Sequence, residues 1–163
     1  MAKNESKVRV DAVDRRLLAL LQREGRAPVA RLASAVGLSA PPVHERLRRL
    51  EAAGIIRRYT ALLDPARLGL GMTVYVSVTL ALHREGAVLK FREAVGKVPA
   101  ILECHHTTGT SDFLLKVVVR DAAAYEHLVL ATLTQLPGVE RLNSSVVLST
   151  MKSETALPLE PIP

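Results

Sequence analysis

The chain has 163 residues, 48% hydrophobic and 23% charged, a balance typical of folded globular proteins rather than disordered ones. Its single cysteine excludes an intramolecular disulfide and favours a cytoplasmic location, and no apolar run approaches the ~20 residues of a membrane helix. The net charge of +6 is uneven, because residues 1–60 hold 13 Lys and Arg against 6 Asp and Glu, whereas residues 61–163 hold 9 against 10. We therefore expect the first 60 residues to meet a polyanion.

Two helices are predicted after a polar amino-terminal arm. Apolar residues recur at helical spacing from position 13 as far as Gly25, and Asp11 or Asp14 can cap the start of this helix. A second helix begins near Pro28, an acceptable first-turn residue, and ends at Gly37. The short turn after Gly37 indicates that a third helix follows closely.

Ser39 is expected to cap this third helix, which ends at Gly54. Pro41 and Pro42 lie in its first turn, where the backbone needs no amide donor. Residues 55–63 then predict a short β-ribbon, and residues 64–71 a linker. Residues 1–63 are thus interpreted as a winged helix-turn-helix domain.

The helix-turn-helix spans residues 28–53, and the second helix of this motif is the one that enters the major groove of DNA. At about 100° per residue, Val43, Leu47 and Leu50 point inward, Arg46 lies at the edge of this apolar stripe, and the other polar residues of the helix point away. The predicted DNA contacts, to base edges or phosphates, are Ser39, Pro41, Pro42, His44, Glu45, Arg46, Arg48, Arg49 and Arg58. The alternative is a solvated helix face with surface arginines, on which Ser39 serves only as a cap.

The rest of the chain has a β-α-β-β-α-β pattern. Strands are predicted at residues 72–82, 100–107, 113–120 and 139–150, and helices at 85–95 and 122–136. This order is that of a ferredoxin-like domain over residues 72–152, followed by a tail at 153–163, and it makes the whole chain α+β. Helices would cover one face of the sheet. We expect the other face to be apolar and buried in a sheet-to-sheet homodimer.

Several segments carry family motifs. In the first domain they are DAVDRRLL at 11–18, GRAPVARLA at 25–33 and GLSAPPVHERLRRLEAAGII at 37–56, and in the second they are TGTSDFLLK at 108–116 and LPGV at 136–139. Together they resemble the Lrp/AsnC (leucine-responsive, feast/famine) family of transcriptional regulators, over residues 10–158. This resemblance implies a sequence-specific regulator of transcription that binds double-stranded DNA as dimers, which associate further into tetramers or octamers.

The resemblance also implies a small-molecule effector, usually an amino acid, bound between dimers. Its predicted contacts are Thr108, Gly109, Thr110, Ser111, Asp112 and Ser144. Turn amides suit a carboxylate and Asp112 suits an ammonium group, although Gly109 and Asp112 equally serve a purely structural turn. The family often has an aromatic residue where Ser111 stands and a Thr-x-Thr pair where Ser144 alone keeps a hydroxyl, so the effector's identity stays open.

Three alternative functions follow from other features of the sequence. Cys104 and His106 share one strand face with His105 on the other, and two ligands do not complete a metal site, so no metal or cofactor is expected and a metal-responsive regulator is less favoured. The chain has no Gly-rich phosphate loop and no nucleophile-with-base motif, so we predict that it is not an enzyme. A constitutive architectural DNA-binding protein without an effector remains the alternative.

Overall fold

The structure, a computed structural model, describes residues 9–81 and 85–159. In these described ranges the chain forms two compact units: the first comprises residues 9–62 and 152–159, and the second residues 63–81 and 85–151. None of the helices in the described parts of the chain is both long and apolar enough to cross a membrane.

The first unit contains three helices, as predicted: α1 (Ala12–Arg23), α2 (Val29–Val36) and α3 (Ala40–Ala52). Asp11 caps α1, and its carboxylate accepts from the Asp14 amide while that of Asp14 accepts from the Asp11 amide. Gly37 has a φ of 71°, a left-handed conformation that lets α3 follow α2 after a tight turn. The helices enclose a core of buried apolar side chains, Leu17, Leu32, Ala33, Val36, Val43 and Leu47.

Ser39 occupies the N-cap position of α3, but its side chain makes no capping hydrogen bond, contrary to the prediction. An N-cap oxygen accepts from the amide of the second or third helical residue. Those residues are Pro41 and Pro42, which have no amide hydrogen. The two prolines therefore leave the Ser39 hydroxyl without the donors of an ordinary cap.

The predicted β-ribbon at residues 55–63 is wrong for the described chain. This segment is irregular and leads to a 3₁₀ turn at Ala66–Leu68. A ribbon needs a second strand to satisfy its backbone, and no strand of the described ranges pairs with this segment. Tyr59, Leu62 and Leu63 are at least half exposed along it.

The second unit has the predicted βαββαβ order. Its elements are β1 (Met72–Leu80), α4 (Glu85–Val95), β2 (Ile101–His106), β3 (Phe113–Val119), α5 (Ala122–Ala131) and β4 (Val139–Val146). The strands form one antiparallel sheet in the order β2-β3-β1-β4. A 3₁₀ turn at Leu133–Gln135 follows α5.

The two faces of this sheet differ from expectation. Val74, Val76 and Val78 of β1 are fully buried in one core with Phe91 of α4 and Leu133. Alternation then puts the intervening side chains of β1 on the uncovered face, namely Thr73, Tyr75, Ser77 and Thr79. For β1 the predicted apolar face is therefore wrong, because its apolar residues turn to the helices and its polar residues turn away from them. Leu114 and Val118 of β3 lie opposite Ser77 and Thr73, so the uncovered face is a mixture of polar and apolar side chains. A sheet-to-sheet dimer remains a prediction.

Candidate nucleic-acid interface and effector loop

One face of α3 is exposed and polar. Val43, Leu47 and Leu50 are buried, as the helical spacing predicts. The opposite side exposes Pro41, Pro42, His44, Glu45, Arg48 and Arg49. A shallow groove on it is lined by Glu45, Arg48, Arg49, Glu51 and Ala52. The first unit thus presents charged side chains along the helix that a helix-turn-helix places in the major groove.

Two of the arginines on α3 are ion-paired with α1. Nη1 of Arg46 lies 2.6 Å from Oδ2 of Asp11 and 2.8 Å from Oδ1 of Asp14, and Arg49 donates to the other oxygen of Asp14. The Asp14 side chain is completely buried, whereas those of Arg46 and Arg49 are 26% and 42% exposed. Asp14 therefore joins the start of α1 to the middle of α3.

The electrostatic consequences follow from these contacts. The hydrogen bond from the Asp14 amide, together with the nearby Arg46 guanidinium, lowers the pKa of Asp11. Asp11 and Asp14 in turn raise the pKa of Arg46. The sequence predicts Asp14 only as a possible helix cap. The ion pairs have no local signal, because their partners lie 32 and 35 residues further along the chain.

Arg48 has a different environment from its neighbours. It is exposed, and no hydrogen bond or ion pair joins its side chain to any residue in the described ranges. His44 and Glu45 are exposed on the same side of the helix. These three side chains are thus oriented outward without the protein contacts that hold Arg46 and Arg49.

A hydrogen bond from Tyr59 joins the irregular segment after α3 to that helix. The hydroxyl of Tyr59 donates to Oε1 of Glu51 at 2.9 Å, and partial burial together with this carboxylate raises the pKa of Tyr59 to about 12. Arg58, a predicted contact to the DNA backbone, is the preceding residue and is exposed. The sequence gives no signal for this role of Tyr59, because within a ribbon it would be one of several alternating residues.

The predicted effector residues 108–112 form the loop between β2 and β3. The Thr107 amide donates to the Asp112 carbonyl at 2.9 Å, and Gly109 has a φ of 115°. The Asp112 carboxylate accepts from the Leu80 amide at 2.8 Å. Gly109 thus has the positive φ expected of a structural turn, whereas the bond of the Asp112 carboxylate runs to the backbone of β1, outside the turn. Thr108, Gly109 and Thr110 are exposed at the loop's tip.

Ser144 lies elsewhere on the sheet. It is opposite Val76 in the register of β1 and β4, whereas the loop is tied to Leu80 and Val78 at the end of β1. Its hydroxyl is hydrogen-bonded to that of Tyr125 on α5. One chain therefore brings residues 108–112 together but does not place Ser144 among them.

The metal alternative gains no support from the arrangement of β2. Cys104 packs against the core, and burial raises the pKa of its thiol. The His106 ring stacks on Phe113 with centroids 4.8 Å apart, and His105 contacts Glu103. In the described parts of the chain, no three His, Cys, Asp or Glu residues are grouped as a metal ion requires.

Two family models match the chain. The AsnC-type helix-turn-helix domain matches residues 10–51, and the Lrp/AsnC ligand binding domain matches residues 73–157. Among curated proteins, the leucine-responsive regulatory proteins of Klebsiella pneumoniae and Escherichia coli strain K12 are each 41% identical over 148 residues, which is 91% of this chain and 90% of each relative.

Solved structures give the same result. The complex of a transcriptional regulator from Neisseria meningitidis with L-Met matches with a TM-score of 0.88 at 38% identity, over 93% of this chain and 97% of that one. An AsnC family transcriptional regulator from Agrobacterium tumefaciens matches with a TM-score of 0.86 at 36% identity, over 91% and 97%. The similarity includes both units of the present structure.

Proposed function

Since this chain belongs to the Lrp/AsnC family of transcription regulators, we propose that it binds specific sites in double-stranded DNA through α3 and that an amino acid or related metabolite controls this binding. The observation that carries the proposal is the exposed polar face of α3, opposite its buried apolar stripe. Selection from a random-sequence duplex library tests it: the protein should enrich a defined, roughly two-fold site. A pool that stays random after selection would contradict it.

The residues of α3 have different roles in this proposal. Arg48, His44 and Glu45 contact DNA, because their side chains extend outward from the helix. Arg46 and Arg49 hold α3 against α1 through Asp14, so their contribution to DNA binding is chiefly to orient the helix. Arg58 contacts the flanking phosphates. Pro41 and Pro42 shape the end of α3 nearest the bases.

Replacing Ser39 by alanine should separate its two possible roles. An N-cap serine normally contributes about 1 kcal/mol, but here the capping bond is absent, so the thermal midpoint should scarcely change. DNA affinity should fall, because the hydroxyl remains available for a phosphate. Thermal unfolding and a binding isotherm measure both. A large loss of stability with unaltered DNA affinity would assign Ser39 to the fold alone.

The effector site is proposed at the loop of residues 108–112. Its exposed amides suit a carboxylate, and the negative charge of Asp112 suits an ammonium group. The complex of the Neisseria regulator with L-Met supports an amino-acid effector. Ser144 would complete the site only if a second subunit brings it there, which is consistent with a site between dimers in a tetramer or octamer. The protein would act in the cytoplasm.

Asp112→Asn tests whether this loop binds the effector. The amide oxygen can still accept from the Leu80 amide, so the second unit should remain folded, while the charge that would hold an ammonium group is lost. We expect amino acids, L-methionine first, to stabilise the wild type in a thermal-shift screen and to lose this effect in the variant. Asp112→Ala is the control that also removes the bond to Leu80. An undiminished shift in both variants would place the sensor elsewhere.

An architectural protein without an effector is the second candidate. It would have the same basic first unit and would show no thermal shift with any amino acid. The two functions are distinguished by sequence preference, because an architectural protein binds unrelated duplexes almost equally well.

A further inference from the structure

The carboxyl-terminal tail is part of the first unit, although it follows the second unit in sequence. The chain leaves the first unit after Leu62, forms the second, and enters the first again at Lys152. The first unit is therefore attached to the second by two segments of chain instead of one.

The tail is bound to the outer face of α1 by its backbone. The Gln22 side-chain amide donates to the Leu157 carbonyl at 3.1 Å, and its oxygen accepts from the Leu157 amide at 2.6 Å. Nη1 of Arg15 donates to the Leu159 carbonyl at 3.0 Å. Arg15 and Gln22 are seven residues apart, so they lie on one face of α1 two turns from each other.

These contacts have the character of a binding site for an extended peptide. The Gln22 amide satisfies both backbone groups of Leu157, as a neighbouring strand would. Pro158 stands between the two anchored residues, and its fixed φ lowers the conformational entropy lost when the tail docks. Ala156 and Leu159 are half-buried on either side of it.

We propose that α1 carries a docking site for residues 152–159 of the same chain, and that the docked tail couples the DNA-binding unit to the effector-binding unit. The coupling rests on the function proposed above; the docking does not. A second connection restricts the freedom of the first unit before DNA binds, so less entropy is lost on binding. The tail begins six residues after the end of β4, which gives the second unit a direct covalent route to α1.

Gln22→Ala in the full chain tests the docking. It removes both hydrogen bonds to Leu157 from an exposed position and leaves every charge in place. Arg23→Ala, at the next exposed position of α1, is the matched control. We expect hydrogen exchange at the Leu157 amide to be slow in the wild type and control, and at least tenfold faster in Gln22→Ala. Fast exchange in the wild type, or slow exchange in Gln22→Ala, would overturn the docking site.

DNA binding by these proteins and by a chain that ends at Met151 tests the coupling. Gln22→Ala and a chain ending at Met151 should each bind the selected duplex three- to tenfold more weakly than wild type. The salt dependence of DNA binding by Gln22→Ala should equal that of the wild type. Wild-type affinity in a variant whose tail has been released would overturn the coupling. A wild type that binds no DNA would contradict the proposed function instead, while the exchange result would still decide the docking. Exchange that quickens on dilution would show that the tail of a second copy occupies the site.

Discussion

Replacing Arg46 and Arg49 together by alanine is expected to destabilise the first unit by about 2–4 kcal/mol. The substitution leaves the Asp14 carboxylate buried with no cation beside it. Removing one side of a buried ion pair typically costs about 3–5 kcal/mol, and the lower range applies because water can replace two partly exposed arginines. Denaturant unfolding followed by helical circular dichroism measures the loss.

Two further variants show whether the buried charge is the cause. Arg48→Ala removes the same residue type from the same helix without touching Asp14, so its effect should stay within about 0.5 kcal/mol. Adding Asp14→Asn to the double variant should restore part of the lost stability, because the unpaired charge is then gone. Equal destabilisation by Arg48→Ala and by the double variant, with no recovery on adding Asp14→Asn, would contradict this role of Asp14.

Arg48→Ala is expected to weaken specific DNA binding by about 1–3 kcal/mol, the usual contribution of a good side-chain contact to DNA. If Arg48 contacts a phosphate, the slope of log K against log salt should fall by about one for each subunit bound. If it contacts a base, the slope stays the same and the preference at one position of the site relaxes.

Arg46→Ala provides the comparison for this second prediction. Because Arg46 is already paired with Asp11 and Asp14, we expect weaker DNA binding without a change in salt slope. Binding isotherms at four or five salt concentrations distinguish the two arginines. A slope that falls for Arg46 and stays constant for Arg48, with no change in base preference, would show that their roles are reversed.

Local pattern predicted most of the fold. The three helices of the first unit and the βαββαβ order of the second are confirmed, and α4 has the predicted bounds of residues 85–95. These elements are defined by features close in sequence, such as the capping pair Asp11 and Asp14 or the left-handed Gly37. Apolar spacing also predicted which side of α3 is buried.

The wrong predictions concern segments whose structure depends on partners that are absent or that lie far away in the sequence. The ribbon at residues 55–63 has the composition of a strand, but no strand of the described chain pairs with it. Ser39 has the side chain of a cap, but the prolines after it have no amide to donate. Alternation along β1 identifies two faces without saying which one meets the helices, so the sequence did not predict that the polar residues of β1 lie on the uncovered face.

The sequence predicted which positions form the candidate site. It did not predict that the arginines of this site have two different roles. From the sequence, Arg46, Arg48 and Arg49 form one predicted DNA-binding cluster, because all three lie on or near the polar side of α3. Only the folded chain brings the buried Asp14 beside two of them. The loop at residues 108–112 was located from a resemblance, and the bond from the Leu80 amide to Asp112 has no local signal.

The central claim is that α3 recognises a particular DNA sequence, and its most direct test is a ratio of two dissociation constants. The wild-type protein is titrated against its selected duplex and against a scrambled duplex of equal length and composition, at one physiological salt concentration. We expect the selected duplex to bind at least about 10³-fold more tightly, the lower end of the range for specific regulators. Equal affinity for the two duplexes would contradict sequence-specific recognition and would favour an architectural protein that binds through its charge alone.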